Sequence, residues 1–268
     1  MKNVLTIIAL TFVVALCAPS FVFAGYEITQ SQTGMHGLSQ SKIFIQNNKY
    51  MVSQPESNML VDFANDKLII TNENNKTYWQ GTTQQYINAM KDMREASIKR
   101  MQEMLKKFPE SQRQEIMAIH GLDNKKANIN VSIQKTGKIE VIAGYKAEQY
   151  IVNNNGEPYE ELWIAKSLDL KKEIDPEKLQ VFLARLKKST MGGQTQGEIG
   201  LTKAYLNLFN TGYPVKQIFE NNMMSITVDS VRKTHIPPKI FQLPEGYKKI
   251  ESLQSFFMSG HGMDLKMQ

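Results

Sequence analysis

The side chains best suited to chemistry in this sequence are methionines spaced along residues 83–108. Met90, Met93, Met101 and Met104 fall on one face of a predicted helix, and Met117 follows in the next helical stretch. Methionine side chains are flexible and polarizable, so they adapt to ligands of variable shape. This stripe therefore favours non-covalent binding of an acyl chain or another hydrophobic ligand. The alternative is a helix packed permanently on a sheet, with its methionines filling irregular gaps in the core.

A hydrophobic site of this kind needs no catalytic group. At roughly 0.8 kcal/mol per buried CH₂, one long acyl chain gains about 10 kcal/mol before ordering costs. Aromatic residues on strands would complete the lining, although a one-residue error in register would reverse the face of every strand residue. The candidate ligand-binding residues are Trp79, Tyr86, Met90, Met93, Met101, Met104, Tyr145 and Trp163.

The ionisable residues give little support for catalysis. The histidines form neither a His-x-x-x-His pair nor a Glu-x-x-His motif. The adjacent acids Glu160 and Glu161 point to opposite faces of a strand, so they cannot share a substrate. Asp62 is expected to face solvent, because it alternates with apolar residues. We therefore predict a non-enzymatic protein with no cofactor. The histidines are His36, His120, His235 and His261.

The C-terminal tail carries a second set of possible ligands, Met258, His261, Met263 and Met267. Thioether and imidazole groups suit copper in an oxidising compartment. Their spacing matches no strong metal signature, and a disordered tail with scattered methionine is the alternative. We predict no metal site, and copper binding by the tail stays open.

The N-terminus is typical of an exported protein. Lys2 precedes an apolar run over residues 4–16, and Ala24 offers a cleavage point, so residues 1–24 are predicted to be a signal peptide. The apolar run is shorter than the roughly 20 residues that span a bilayer, so no stable membrane span is expected. Cys17 is the single cysteine, but Leu16 before it is not the small residue that lipoprotein processing requires. Periplasmic or secreted localisation is therefore predicted, without lipidation.

The charge pattern does not favour nucleic acid as a partner. The sequence of 268 residues has a formal net charge of +6. Its Lys and Arg residues are scattered among acidic residues, whereas nucleic-acid binding needs a concentrated basic stripe. A modestly basic, solvated surface is the simpler interpretation.

Short apolar runs and turn residues repeat at intervals of about ten residues over residues 26–81, which predicts an antiparallel meander. A helical insert is predicted over residues 83–121, followed by strands, an Asp175-Pro176 helix start and a glycine-rich linker over residues 191–200. A short helix over about residues 199–210 and a last hairpin over residues 213–233 are predicted next. Residues 251–268 are predicted to be a short helix or a flexible tail. A single β-rich domain over residues 25–250 accounts for this order.

The most regular stretch is residues 138–166. Its Asn-rich turn over residues 153–156 predicts a hairpin with arms at residues 145–152 and 158–166. Residues 135–138 are predicted to be a turn, and Gly144 a bulge or tight bend. We predict that this stretch forms the central wall of the sheet.

Four motifs, in order along the chain, carry a family resemblance. They are KIFIQNNKY, FPESQRQEIM after the methionine-rich helix, KTGKIEVIAGYKAEQY with ELWIAK, and GYPVK with PPKIFQLPEGYKKI. Together they resemble the exported bacterial family of domain of unknown function 4412. That family often has cysteine where this chain has Ala147, so any role of that side chain is absent here.

The layout of that family is similar to LolA/LolB-type lipoprotein carriers of the bacterial outer membrane. The resemblance implies an open, strongly curved antiparallel β-barrel whose concave face is covered by helices and takes up acyl chains. Fold alone does not establish function. A filled interior would favour the alternative, an envelope structural or protein-interaction module.

We therefore expect an α+β, mainly β fold: a curved antiparallel sheet or half-open β-barrel of roughly ten to twelve strands, covered on its concave face by helices. The expected function is non-enzymatic, periplasmic binding of a lipid, acyl chain or other hydrophobic ligand, with a carrier role as one form of it. The expected partners are that ligand and, in the alternative, another envelope protein. The expected state is a monomer.

Overall fold

The computed structural model describes residues 24–34, 37–110, 112–113, 116, 129–190, 194–219 and 224–260. Several predicted features lie outside the described residues. They are signal residues 1–23 with Cys17, most of the second half of the helical insert with Met117, and the tail residues His261, Met263 and Met267.

Within the described ranges, twelve strands form one sheet. The strands are β1 (Gly25–Gly34), β2 (Gly37–Gln46), β3 (Lys49–Ser53), β4 (Ser57–Asp62), β5 (Lys67–Asn72), β6 (Thr77–Gly81), β7 (Val131–Ile142), β8 (Tyr145–Asn154), β9 (Glu157–Ala165), β10 (Tyr213–Phe219), β11 (Met224–Thr234) and β12 (Lys248–Lys249). Their order is β12-β6-β5-β4-β3-β2-β1-β11-β10-β9-β8-β7. Neighbours are antiparallel except for the short parallel pair β12–β6.

The helices are α1 (Thr83–Leu105), α2 (Pro176–Ser189), α3 (Gln194–Gly200), α4 (Lys203–Phe209) and α5 (Leu253–Gly260), with a 3₁₀ turn at Pro238–Phe241. They pack against the sheet. The predicted fold class, a mainly β protein with a curved antiparallel sheet covered on its concave face by helices, is confirmed.

Two-residue turns of left-handed backbone connect several hairpins. Asn155 and Gly156 have φ angles of 55° and 88° between β8 and β9, and Ala143 and Gly144 have 49° and 84° between β7 and β8. Such turns match the right-handed twist of the strands that they join. The predicted hairpin of β8 and β9 is therefore confirmed, and Gly144 belongs to the tight bend before it.

Two predictions about residues 131–166 are wrong. Residues 135–138, predicted to be a turn, lie inside β7, where Gly137 has a φ of 83° and the register with β8 shifts between Lys135 and Ile139. This is a bulge, which bends a strand without ending it. The strands β7, β8 and β9 also form one edge of the sheet, because β1 pairs with the distant β11 and so occupies the middle.

Side-chain caps fix where the longer helices begin. Thr82 Oγ1 accepts the backbone N–H of Gln85 at 3.1 Å, and the Gln85 side chain accepts the N–H of Thr82 at 2.8 Å, which is a capping box for α1. Asp175 accepts the N–H groups of Glu177 and Lys178 at the start of α2, as the Asp-Pro pair predicts.

The glycine-rich stretch, predicted to be a linker, instead contains helix α3 from residue 194 onward. A Cβ at Gly197 would lie 2.5 Å from Lys188 Cβ and 2.6 Å from the Ala184 carbonyl oxygen. The absence of a side chain therefore lets α3 approach the backbone of α2. These glycines serve close packing, and residues 191–193 lie outside the description.

The segment after residue 250 forms helix α5. Leu253 and Phe256 are buried with Val61 and Trp79, so this helix belongs to the core. Just before this helix, the N–H of Lys248 donates to the carbonyl oxygen of Lys76 at 2.9 Å. The N–H of Ile250 donates to the carbonyl oxygen of Tyr78 in β6 at 2.8 Å. These bonds attach the C-terminal segment to β6.

Candidate ligand-binding cavity

A cavity of about 330 Å³ lies between the sheet and helices α2 and α4. Its walls come from strands near the middle of the sheet, from the connection between β9 and α2, and from the two helices. Most of the lining is apolar. The apolar and aromatic lining residues are Ile43, Tyr50, Leu168, Leu170, Ile174, Pro176, Leu179, Leu183, Tyr205, Phe209, Tyr213, Pro214 and Ile226.

The connection between β9 and α2 forms one wall because it is tied to the sheet. Tyr26 in β1 donates its hydroxyl to the Asp169 carbonyl at 3.1 Å, and Asn48 N–H donates to the Glu173 carbonyl at 2.6 Å. Leu168 and Ile174 are almost fully buried at 1% exposure each. An irregular segment is thereby held in place as an apolar wall.

The opposite wall follows from helical periodicity. Leu179, Leu183 and Lys187 are four residues apart on α2, so they share the face that meets the cavity. On α4, Tyr205 and Phe209 are also four apart, and their rings stack with centroids 5.0 Å apart. Each helix thus contributes a row of large side chains.

A buried carboxyl group, that of Glu160, is hydrogen-bonded to the cavity-lining residue Tyr205. Glu160 in β9 is 3% exposed, and its Oε2 accepts the hydroxyl of Tyr205 at 2.8 Å. Its other oxygen, Oε1, has no hydrogen-bond donor among the described residues. Burial raises the pKa of Glu160 to about 7, although the charge of Lys187 and the bond from Tyr205 act in the opposite direction.

Lys187 completes this polar end of the cavity. Its Nζ lies 5.0 Å from the centroid of the Phe219 ring, and the side chain is partly buried. Burial lowers the pKa of Lys187, while the negative charge of Glu160 raises it. The three residues Glu160, Lys187 and Tyr205 are called the polar anchor below.

The remaining charged lining residues are exposed. They are Lys166, Asp169 and Lys171 in the β9–α2 connection. The Lys166 ammonium is already bound to Glu148 at 2.6 Å. Hydrogen bonds from Lys166, Lys135 and Tyr150 lower the pKa of Glu148 to about 2, so this pair stays ionised at neutral pH.

The eight residues predicted to bind a ligand lie outside the lining of this cavity. Trp79 and Tyr86 are buried with their rings 6.0 Å apart, and Met90 and Met93 pack against the same cluster beside α5. Met101 is partly exposed, and Met104 is 59% exposed.

Tyr145 and Trp163 belong to a different cluster, around Ile28 and Ile45 in the middle of the sheet. Six of the eight residues therefore belong to two separate clusters, and Met101 and Met104 belong to neither. None of the eight contributes to the described lining of the cavity under α2.

Sequence patterns indicate only some of the residues that line the cavity. Leu179 and Leu183 appear in the periodicity of α2, whereas Leu168, Leu170 and Ile174 lie in a segment without regular structure. The short helix predicted over about residues 199–210 is confirmed as α4, but its place in the cavity wall was not predicted. The aromatic pair Tyr205 and Phe209 at helical spacing is the signal that could have pointed to that wall.

Asp62, expected to face solvent, is buried at 8% exposure, so that prediction is wrong. Its Oδ1 accepts the N–H groups of Ala64 and Asn65 at 3.1 and 3.2 Å. A carboxylate at this position closes the turn between β4 and β5. Its role is structural.

Over the described parts of the chain, no group of three or more His, Cys, Asp or Glu side chains is arranged to hold a metal ion. Within those same parts, every helix is either too short or too polar to cross a membrane.

The sheet and its cavity define a mainly β protein whose open antiparallel sheet is covered by helices. The chain belongs to the family described as Domain of unknown function (DUF4412), whose model matches residues 87–247. The family predicted from the four motifs is therefore confirmed. The first motif, KIFIQNNKY, precedes the matched region.

Solved structures with similarity to the chain include PNGF-II in space group P21, at 12% identity and a TM-score of 0.39, with 88% of this chain and 33% of that chain covered. The complex of MucA and MucB from Pseudomonas aeruginosa matches at 9% identity and a TM-score of 0.38, covering 83% of this chain and 56% of that one. MucB alone matches at 11% identity and a TM-score of 0.34, covering 84% and 58%. The chain thus spans between a third and three-fifths of those structures. No curated protein matches it.

Proposed function

We propose that this protein is a non-enzymatic binding protein of the bacterial periplasm that takes a lipid chain or another hydrophobic ligand into the cavity under α2. The observation that supports this function is a cavity of about 330 Å³ with mainly apolar walls, between a sheet and the helices that cover it. Ligand sites in proteins have volumes of roughly 300–1,000 Å³. This one is at the small end, which favours one chain over a lipid with several.

The size also sets the expected affinity. At roughly 0.8 kcal/mol per buried CH₂, about eight buried methylene groups contribute about 6 kcal/mol, and ordering of the chain reduces that figure. A free energy of about 6 kcal/mol corresponds to a dissociation constant between millimolar and micromolar. Reversible loading and release, as a carrier needs, is compatible with that range.

A second candidate function is protein interaction through strand β7. This strand is an edge of the sheet in the described part of the chain, and its residues Ile139 and Val141 are 64% and 65% exposed. The two side chains are two residues apart, so they share one face of the strand. An edge strand with exposed apolar residues is a template for an added strand of a partner.

Ligand binding is tested with the protein lacking residues 1–24, purified and stripped of lipid, and a fluorescent hydrophobic probe that decanoate displaces. Leu183→Trp places a large ring in the cavity and is expected to weaken probe binding at least about tenfold. Arg185→Trp is the matched control, because it introduces the same side chain on the same helix at a residue outside the cavity lining.

Loss of binding in L183W with normal binding in R185W supports the cavity as the site. Absence of probe binding to the unaltered protein, together with native mass spectra free of lipid, contradicts the proposal. In that case crosslinking that captures a partner at β7 would support the second candidate.

A further inference from the structure

We infer that the ligand is a single-chain amphiphile with an anionic head group, carboxylate or phosphate, and that Lys187 binds this head group. The inference rests on the proposed function, since it assigns the ligand class of the same cavity. It stands on three observations: the charge of the lining, the surroundings of Lys187, and the buried carboxyl group next to it.

The charged groups that line the cavity are mainly cationic. Lys166, Lys171 and Lys187 contribute positive charge, and Asp169 is the one acidic residue in the described lining. Apolar walls of low polarizability concentrate such a field within a cleft. An anionic amphiphile therefore complements the cavity in both charge and polarity, whereas a cationic one does not.

Of the three lysines, Lys187 is the one placed to receive a new anion. Lys166 is bound to Glu148, and Lys171 is exposed to solvent. No carboxylate among the described residues lies within 4.0 Å of the Lys187 ammonium. Removing a charge from water is costly unless an opposite charge is supplied. The charge of Glu160 supplies part of it, and a head group at Lys187 would supply the rest.

The neighbouring Glu160 allows an anion to approach because burial weakens its own ionisation. The carboxyl group is held by the Tyr205 hydroxyl at 2.8 Å and is not part of the cavity lining. Tyr205 links this carboxyl group to the cavity, because it donates to the carboxyl group and also lines the cavity. Thus Lys187, which lines the cavity, is the basic group of the polar anchor that a head group can reach.

The test measures displacement of the fluorescent probe by four ligands with the same ten-carbon chain: decanoate, decyl phosphate, decanol and decylamine. The unaltered protein is expected to bind at least one of the two anions about tenfold or more tightly than decanol, and decylamine most weakly. Which anion binds more tightly distinguishes a carboxylate head group from a phosphate.

Lys187→Met is expected to remove the preference for anions while leaving the affinity for decanol within about twofold, because the apolar stem is retained. Lys187→Arg retains the cation and should preserve the preference. Lys172→Met is the matched control for loss of one positive charge, since Lys172 is exposed and outside the lining. Thermal unfolding of each variant checks that it is folded.

Equal affinity for decanol and both anions in the unaltered protein overturns the inference and leaves the proposed function intact. A preference for anions that persists in folded K187M also overturns it. Failure of all four ligands to bind contradicts the proposed function itself, and the inference with it.

Discussion

Replacement of Glu160 by Gln should change how stability depends on pH. Glu160 is 3% exposed, and burial raises its pKa to about 7 from an ordinary value of 4.5. Between those values the folded protein holds a proton that the unfolded chain has released. The contribution of Glu160 to stability is therefore highest below its pKa in the unfolded chain, and it is lost as pH rises toward 7.

The magnitude follows from the shift. One pKa unit corresponds to about 1.4 kcal/mol, so ionised Glu160 costs about 3 kcal/mol of folding free energy above pH 7. The attraction of Lys187 is already contained in that pKa. Glutamine retains an oxygen that can accept the Tyr205 hydroxyl but carries no charge. E160Q should therefore lack the pH-dependent loss.

The assay is urea unfolding of wild type, E160Q and Glu161→Gln at about pH 5 and about pH 8. Between the two pH values, wild type should lose about 2–3 kcal/mol more than E160Q does. E161Q is the matched control on the neighbouring residue, whose carboxyl group accepts a bond from Gln149 instead. The three proteins share all their other ionisable groups, so the difference between their pH-dependent changes in unfolding free energy reports the substituted residue. Parallel pH profiles of wild type and E160Q would refute the reasoning.

Three further predictions concern packing, and urea unfolding checks each of them. Gly81→Ala should destabilise the protein by about 1–3 kcal/mol, because a Cβ there would lie 2.4 Å from the Trp79 ring; an unchanged midpoint would show that the ring moves freely. Gly197→Ala should cost at least as much, since its Cβ would meet backbone atoms of α2, and a loss under about 0.5 kcal/mol would contradict close packing of α3 on α2. Met93→Ala should cost about 1 kcal/mol or more, whereas Met104→Ala should stay within about 0.5 kcal/mol because Met104 is exposed. Equal effects of the two methionine changes would contradict this assignment.

Local features of the fold were predictable because they depend on neighbouring residues. Asn155 and Gly156 tolerate left-handed backbone, so the turn between β8 and β9 follows from residue type. The same is true of Asp175 as the cap of α2. Period-two alternation indicated most of the strands, and four ordered motifs indicated the family.

Long-range pairing was not predictable in the same way. The strands β1 and β11 are about 200 residues apart in sequence, for example at Ile28 and Val231, and their pairing decides which strands lie in the middle. Turn residues carry no information about such a pairing. For that reason residues 138–166 were predicted to be central but lie at an edge.

The binding cavity could not be predicted from the sequence either. Leu168 and Ile174 line it from a segment held by bonds to β1 and to the β2–β3 turn, and no periodicity indicates such bonds. Gly197 resembles a linker residue until the distance to α2 is known. The methionine stripe directed attention to α1, whereas the cavity lies under α2.

The most direct test of ligand binding in this cavity is to measure NMR contacts between bound decanoate and methyl groups of the protein. Methyl groups of Leu168, Ile174 and Leu183 should show nuclear Overhauser effects to the ligand chain, because these residues line the cavity. Those of Met90 and Met93 should show none, because they pack beside α5. Contacts to the α1 methionines without contacts to the cavity residues would contradict the proposed site.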